Sequence, residues 1–197
     1  MKTETKEITI PRMNIKRMVV EIESKPGSSL IMHRFGEKAR KQIADKQGGK
    51  AKGPKSKRIP KRDYEEAKYF DADGDLALPS VMFKGAVLDA AAGLENSTKR
   101  GTSRAIFFVG EYVKIRGKEH MREDYARIAH GGTTLVYRPE FDEWEATLEV
   151  EYNADILTAE QVVNLINYGG FACGVGDWRP GSKMNFTGEH GRFRVKT

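Results

Sequence analysis

The chain has 197 residues, of which 39% are hydrophobic, and a formal net charge of +6 at neutral pH. This length suits one domain with a single core, and no apolar run approaches the roughly 18–20 residues that a membrane span needs. A lone cysteine, Cys173, excludes an internal disulfide, and the N-terminal sequence lacks the apolar stretch of a secretory signal. The composition predicts a soluble cytoplasmic protein and indicates no metal or other cofactor.

The first predicted elements are a strand and a strongly basic segment. Residues 17–24 alternate apolar and polar side chains, which predicts a half-buried strand, and a short apolar stretch follows at residues 30–35. From residue 38 to residue 62 eleven lysines and arginines accompany one acid, so this segment carries +10 and the rest of the chain −4. Rich in glycine and poor in apolar residues, it predicts a flexible insertion over residues 36–75 within one domain, 1–197. Such a segment is typical of polyanion binding, or else of a solvated loop that only aids solubility.

An acidic turn lies at the end of the insertion. Asp71, Asp73 and Asp75 are three acids within five residues, and carboxylates so spaced can bind Mg²⁺ or Ca²⁺. The glycine and glutamate positions of an EF-hand are missing, which excludes that motif. A solvated turn is the favoured interpretation, and a metal-dependent ribonuclease that uses these aspartates is the enzymatic alternative.

The next segment predicts a helix that begins at Ser80 as its N-cap and ends near Gly93. Lys84 and Gly85 lie in its first turns, where free backbone N–H groups and the helix dipole favour a phosphate. Because glycine lowers helix propensity, Gly85 indicates close approach of a ligand or, equally, of a neighbouring strand.

The remaining elements are predicted from periodicity and turn residues. Residues 96–104 predict a charged turn, residues 105–109 and 112–115 a hairpin, and residues 133–137 and 144–152 two strands joined by a turn near Pro139. Thr158 and Gln161 form a capping box that opens a helix ending at Gly169 and Gly170, and residues 191–195 close the chain as a strand. This order predicts an α+β fold with a ferredoxin-like, RNA-recognition-like core, extra β-hairpins and the basic insertion.

A glycine-rich loop at residues 169–181 is the last candidate site. Its glycines could bring the backbone close to a ligand, with Trp178 stacking on it and Arg179 binding a phosphate. A purely structural loop with Trp178 in the core is the alternative. No nucleophilic triad is indicated, because Cys173 lacks a basic neighbourhood and the histidines form no pattern.

Three of these features resemble the repeat-associated mysterious protein (RAMP) superfamily, in particular the backbone subunits of CRISPR effectors. The segment LPSVMFKGAVLDAA at residues 78–91 resembles the family's Lys-Gly motif at the first helix, and residues 169–195 resemble its glycine-rich loop and closing Gly-Arg-aromatic strand. A strand followed by an insertion before the Lys-Gly helix is also similar. Two departures stand out: Asp89 replaces the usual basic residue, and the loop at residues 26–34 lacks the aspartate with which some relatives cut RNA.

The resemblance implies a non-catalytic protein whose copies stack along a single strand as a homo-oligomer or filament, with RNA favoured over DNA and other CRISPR-type subunits as further partners. Lys84 would bind a backbone phosphate, and the insertion would lie between successive subunits. A small phage or mobile-element protein that binds or imitates a CRISPR complex component is the alternative. The predicted nucleic-acid-binding residues are His33, Arg34, Lys38, Arg40, Lys41, Lys50, Lys52, Lys55, Lys57, Arg58, Lys61, Arg62, Lys84, Trp178, Arg179 and Arg192; no catalytic residue is predicted.

Overall fold

The computed structural model describes residues 10–49, 58–127, 132–182 and 187–196. These residues form, in chain order, β1 (Ile15–Ser24), β2 (Leu30–Ile31), α1 (Glu37–Gln47), α2 (Pro60–Glu66), β3 (Ala77–Pro79), α3 (Ser80–Ala91), α4 (Lys99–Ala105), β4 (Ile106–Phe108), β5 (Tyr112–Arg127), β6 (Thr133–Asn153), α5 (Ala159–Ala172) and β7 (Phe193–Val195). None of the described helices is long and apolar enough to cross a bilayer.

The strands form one antiparallel sheet with the order β3-β5-β6-β1-β7. Strands β4 and β5 lie end to end along the same edge of β6, since β4 pairs with residues 150–152 and β5 with residues 133–146. The core order is therefore β7, β1, β6 and then β4 with β5, and α3 and α5 make the two crossovers. This is the ferredoxin-like arrangement, so the predicted α+β class is confirmed.

The core lies between one face of this sheet and the two crossover helices. Alternation along the strands turns Val20 and Ile22 of β1 inward, together with Ala146, Leu148 and Val150 of β6. Burial of these apolar side chains supplies the main stabilisation of the fold.

Helix α5 packs closely against α3 and begins with the predicted capping box at Thr158 and Gln161. It was expected to end at Gly169 and Gly170 but continues to Ala172. A Cβ at Gly169 would lie 3.0 Å from the backbone nitrogen of Val87, closer than ordinary contact. The glycine therefore serves close helix packing rather than termination.

Beyond the core, β5 and β6 continue as a two-stranded ribbon in which residues 119–127 pair with residues 133–141. The predicted turn near Pro139 is wrong, because Pro139 lies inside the continuous strand β6. Its carbonyl accepts a hydrogen bond from the Met32 N–H (3.0 Å). Its backbone polar groups thus point away from β5, and proline costs the β5–β6 ladder no hydrogen bond.

Three other local predictions are corrected. The two segments predicted as a hairpin are β4 and the start of β5, and they do not pair with each other: β4 pairs with β6, and the start of β5 pairs with β3 and, from Ile115 onward, with β6. The predicted charged turn contains α4, whose N-cap Thr98 accepts a hydrogen bond from the Gly101 N–H. Helix α3 has Pro79 as its N-cap, and the Ser80 hydroxyl donates to the Gly110 carbonyl instead (2.6 Å).

Candidate nucleic-acid interface

The open face of the sheet, opposite the helices, carries paired charges. Alternation turns Glu145, Glu149 and Glu151 of β6 to this side, and Glu23 of β1 lies with them. Four ion pairs cover the face, namely Arg17–Glu151 (2.8 Å), Arg194–Glu23 (2.6 Å), Lys196–Glu145 (2.8 Å) and Arg116–Glu145 (3.8 Å). Sheets that bind RNA on their open face usually present aromatic side chains and excess positive charge. This face is acidic at its centre, which makes it unfavourable for a phosphate backbone.

His33, Arg34 and Phe35 follow one another between β2 and the basic insertion. Phe35 is 62% exposed, and its ring centroid lies 6.1 Å from that of His33. The Arg34 N–H donates to the Ala67 carbonyl (3.0 Å), so this stretch is fixed against the end of α2. The exposed Phe35 ring is a surface on which a base of single-stranded nucleic acid can stack.

Helices α1 and α2 form the described part of the insertion, and neither contributes to the core. Every side chain described on α1, residues 40–47, is exposed or half-buried, and α2 buries none. Arg40 and Lys41 on α1 and Lys61 on α2 are exposed. This agrees with the expectation that the segment cannot support a core of its own. Lys50, Lys52, Lys55 and Lys57, and the side chain of Lys38, lie outside the described residues.

A buried lysine anchors α2 to the ribbon. The Lys68 ammonium donates to Glu119 of β5 (2.7 Å), forms an ion pair with Glu65 of α2 (3.0 Å) and lies 4.2 Å from the Tyr64 ring centroid. Burial alone would lower the pKa of Lys68, but these hydrogen bonds outweigh it and raise the pKa. The ammonium therefore stays charged, and it holds the insertion at a defined place on the ribbon.

Two predicted site residues, one just before α2 and one on it, are partly engaged by the fold. Arg58 donates to the Leu135 carbonyl of β6. Arg62 lies 3.6 Å from a carboxylate oxygen of Asp63 and 3.7 Å from one of Glu66. Their charge is thus shared with neighbouring groups, whereas Lys61 between them points outward.

The base of the ribbon holds a buried network of charged side chains. Arg138 of β6 is 3% exposed and donates to both Asp124 of β5 and Asp177. Arg122 donates to Asp124 (2.9 Å) and to Glu140 (2.7 Å). We call these five residues the ribbon-base network. Buried charges are stable only when each is paired, and this network meets that condition with two arginines and three acids.

Asp177 joins the ribbon-base network to the insertion. Its carboxylate lies 3.0 Å from His33 Nδ1 and accepts a hydrogen bond from Arg138. Burial alone would raise the pKa of Asp177, but the hydrogen bond with His33 and the charge of Arg138 outweigh it and lower the pKa to about 2. The acid stays ionised at neutral pH and holds His33 in place.

The Trp178 ring packs on the same network. Its centroid lies 4.8 Å from the Arg138 guanidinium, 5.2 Å from that of Arg122 and 5.9 Å from the His190 ring. Trp178 has a left-handed backbone (φ 54°), and its N–H donates to Asp177 (3.0 Å). The next residue, Arg179, donates to the Gly176 carbonyl (2.9 Å). Both predicted ligand contacts therefore already have partners within the chain.

The glycine-rich loop makes its close approaches to the chain itself. A Cβ at Gly176, where φ is +78°, would lie 2.6 Å from the Ile31 carbonyl oxygen. The Asp177 N–H donates to the same oxygen (2.9 Å). These contacts favour the structural alternative for the loop, since its glycines let it pack against β2.

The contacts of the Lys84 and Arg192 side chains are with residues outside the insertion. The Lys84 ammonium lies 4.1 Å from the Phe107 ring centroid and donates to the Ser103 carbonyl (3.3 Å). Arg192 pairs with Glu189 (2.9 Å) and lies over the Phe171 ring (5.0 Å). No atom outside its own stretch of helix lies within 4 Å of a Cβ built at Gly85, so among the described residues no strand explains that glycine. Their predicted roles in binding stay predictions.

The acidic turn uses its carboxylates for its own geometry. Asp71 Oδ1 accepts hydrogen bonds from the N–H groups of Asp73 (3.1 Å) and Asp75 (2.8 Å), and the Asp75 carboxylate pairs with Lys114. In the part of the chain that the structure describes, these aspartates do not form a group of three that could hold a metal ion. The arrangement favours the solvated turn.

The residues that sequence reasoning missed are those of the ribbon-base network. Arg122 and Asp124 are two residues apart on β5, and Arg138 and Glu140 are two residues apart on β6, which pairs with β5. Residues two apart in a strand share a face, so this spacing could have indicated the network if a continuous strand had been predicted in place of the turn near Pro139.

Comparison with known proteins gives a similarity of fold. No family model and no curated protein matches the chain. The crystal structure of Cmr6 from Pyrococcus furiosus aligns with 94% of this chain and with all of that chain, at a TM-score of 0.46 and 9% sequence identity. No residue role is transferred from that protein to this one.

Proposed function

We propose that the chain binds single-stranded nucleic acid, RNA in preference to DNA, without cutting it, and that several copies coat one strand as CRISPR effector backbone subunits do. One observation carries the proposal. Arg40, Lys41 and Lys61 of the insertion are exposed, on helices that have no buried side chain among the described residues, whereas the cations of the open sheet face are paired with glutamates. The insertion is the surface on which a polyanion would gain most.

The binding surface would consist of phosphate contacts beside a stacking platform. Arg40 and Lys41 on α1 and Lys61 on α2 would neutralise phosphates, and the exposed Phe35 ring would stack on a base. His33 and Arg34 directly precede Phe35 in the chain. The ribbon-base network would hold them in position through Asp177, so binding would not require the network to open.

Support for a non-catalytic role comes from the acids. Asp71 is committed to its turn, and Asp75 is paired with Lys114. The loop at residues 26–34, where the resemblance would place a cutting aspartate, contains no acid. The preference for RNA and the multi-copy assembly come from the resemblance in sequence.

The test compares two triple variants of equal charge change. One replaces Arg40, Lys41 and Lys61 of the insertion with Gln, and the other replaces Arg116, Arg194 and Lys196 of the open sheet face. Binding of labelled oligouridine and oligodeoxyuridine is measured by fluorescence anisotropy between about 50 and 200 mM salt. Each lost phosphate contact to a single strand reduces the slope of log affinity against log salt by about 0.7.

We therefore expect the insertion variant to lose about two units of slope and the sheet variant to keep the slope of the parent chain. Wild-type binding that does not respond to salt, or equal losses in the two variants, would contradict the proposal. Tighter binding of the deoxy strand would contradict the preference for RNA alone.

Purification separates the proposal from the alternative of a protein that binds a CRISPR complex component. A strand-coating protein isolated at low salt should elute as a large particle whose ultraviolet spectrum shows nucleic acid. A chain that elutes free of nucleic acid but with a bound CRISPR subunit would favour the alternative. Incubation of labelled RNA with Mg²⁺ or Mn²⁺ tests cutting, and products that disappear in Asp73→Ala would overturn the non-catalytic assignment.

A further inference from the structure

Three side chains with metal-binding atoms meet beside the ribbon-base network. His120 of β5 and Glu140 of β6 are direct partners in the antiparallel register. Asp142 lies two residues further along β6, and side chains two apart in a strand share a face. Residues distant in sequence are thus placed together by strand pairing. Within the part of the chain that the structure describes, His120, Glu140 and Asp142 are the group of three side chains whose ligand atoms lie close enough together to hold a metal ion.

The distances suit one ion. His120 Nε2 lies 3.3 Å from Glu140 Oε2, and His120 Nδ1 lies 3.5 Å from Asp142 Oδ2. One ligand atom from each residue lies within 4.8 Å of the other two. Ligands that each lie about 2.0–2.2 Å from a tetrahedral ion are separated by about 3.3–3.6 Å. His120 and Asp142 are exposed, so small rotations of their side chains are enough to direct all three at one point.

Glu140 distinguishes this group from an ordinary cluster of surface acids. Its side chain is buried, and Oε1 accepts hydrogen bonds from the Ser29 hydroxyl (2.5 Å) and from Arg122 (2.7 Å). These bonds fix the carboxylate so that Oε2 points toward His120. Hydrogen bonds of this kind orient ligating carboxylates in metal sites.

We propose that His120, Glu140 and Asp142 bind one divalent first-row transition ion, Zn²⁺ more tightly than Mn²⁺. An imidazole with two carboxylates matches the ligand preferences of these ions. Affinity generally rises from Mn²⁺ to Cu²⁺ and falls at Zn²⁺, which still binds such ligands more tightly than Mn²⁺ does. His120 and Asp142 line an open cleft of about 1190 Å³, from which water can complete the coordination. The ion would tie β5 to β6 next to the irregular pairing between Gly117 and Glu119.

The experiment uses the full, untagged chain after removal of metal with a chelator. Isothermal titration with zinc chloride and with manganese chloride should give one ion per chain, and Co²⁺ should give visible absorption bands of a bound ion. His120→Ala and Asp142→Asn should each lower the zinc affinity by at least about tenfold and remove the cobalt bands. His33→Ala is the matched control, since His33 is also exposed but has a single carboxylate partner, Asp177.

Two results would overturn the proposal. One is a wild-type chain that gives neither zinc binding heat nor cobalt bands. The other is a zinc affinity that Asp142→Asn leaves unchanged. Because the Asp142 side chain is 77% exposed, Asp142→Asn should fold normally even if His120→Ala does not. Circular dichroism of the metal-free variants checks this.

Discussion

The insertion and the base of the ribbon both depend on arginine and acid side chains, but they use them in opposite ways. At the ribbon base Arg122 and Arg138 are paired with Asp124, Glu140 and Asp177, and Arg138 is almost wholly buried. On α1 four lysines and arginines accompany two acids, and the side chains of Arg40 and Lys41 on α1 and of Lys61 on α2 are exposed. The buried, paired charges therefore stabilise the fold, and the exposed cations are available to a ligand.

The comparison shows why charge density alone does not locate a binding site. The charges of a buried ion pair interact with each other and are not available to a ligand. Removing one member of such a pair should therefore alter stability and leave the salt dependence of binding unchanged. An exposed excess of cations should behave in the reverse way. Each prediction below tests one side of this distinction.

The largest effect on stability is expected from Arg138→Ala. The substitution removes one of the two arginine partners of the buried Asp124 and the arginine partner of Asp177, and breaking buried ion pairs of this kind costs about 3–5 kcal/mol of unfolding free energy. Urea unfolding followed by circular dichroism measures the change. Lys61→Ala, which removes an exposed cation, is the control and should stay within about 0.5 kcal/mol of the parent. A loss for Arg138→Ala no larger than the control's would show that the network is not structural.

The next effect concerns binding and is expected from Phe35→Ala. Loss of a base-stacking aromatic ring weakens binding of a single strand by about 1–3 kcal/mol. Because Phe35 is mostly exposed, the free energy of unfolding should barely change. Phe107→Ala, on the open sheet face, is the matched control for an exposed phenylalanine next to a cation. Equal losses of oligouridine affinity in the two variants would place stacking somewhere other than at the insertion.

The smallest effect is a pH dependence of stability. The pKa of Asp177 is about 2 in the fold and 3.8 as its ordinary value, so the unfolded chain binds the proton more readily. The resulting stabilisation is fully present above pH 4 and is lost as the pH falls toward 2. After allowance for partial exposure it amounts to about 1–2 kcal/mol. Unfolding free energies measured between those pH values should fall less steeply in Asp177→Asn. If the unfolding free energy of the variant depends on pH as that of the parent chain does, Asp177 does not contribute to the pH dependence of stability.

Much of the core could be predicted because its signals are local. The alternation of Val20 and Ile22 predicts β1, and the capping box at Thr158 and Gln161 predicts the start of α5. The ferredoxin-like order followed from these elements even though the hairpin between β4 and β5 was wrong. That error arose because turn residues mark a break in a strand without saying which partner the next strand takes.

The sites were harder to predict than the core. Trp178 and Arg179 were expected to contact a ligand, and the fold instead gives the Trp178 ring the guanidinium groups of Arg122 and Arg138. The residues next to Trp178 in the sequence do not predict these partners, because the two arginines lie on β5 and β6. His120 showed no metal pattern for the same reason, since Glu140 and Asp142 lie on the other strand of the ribbon.

The basic insertion, its place after the first strand and its low apolar content were determined by the amino-acid sequence, because charge density and apolar content are properties of a continuous segment. Which charges are free was decided only by the tertiary structure. Strand register and loop packing choose the partners of each buried group, and a one-residue change in register would have turned Arg138 and Glu140 to the other face of β6.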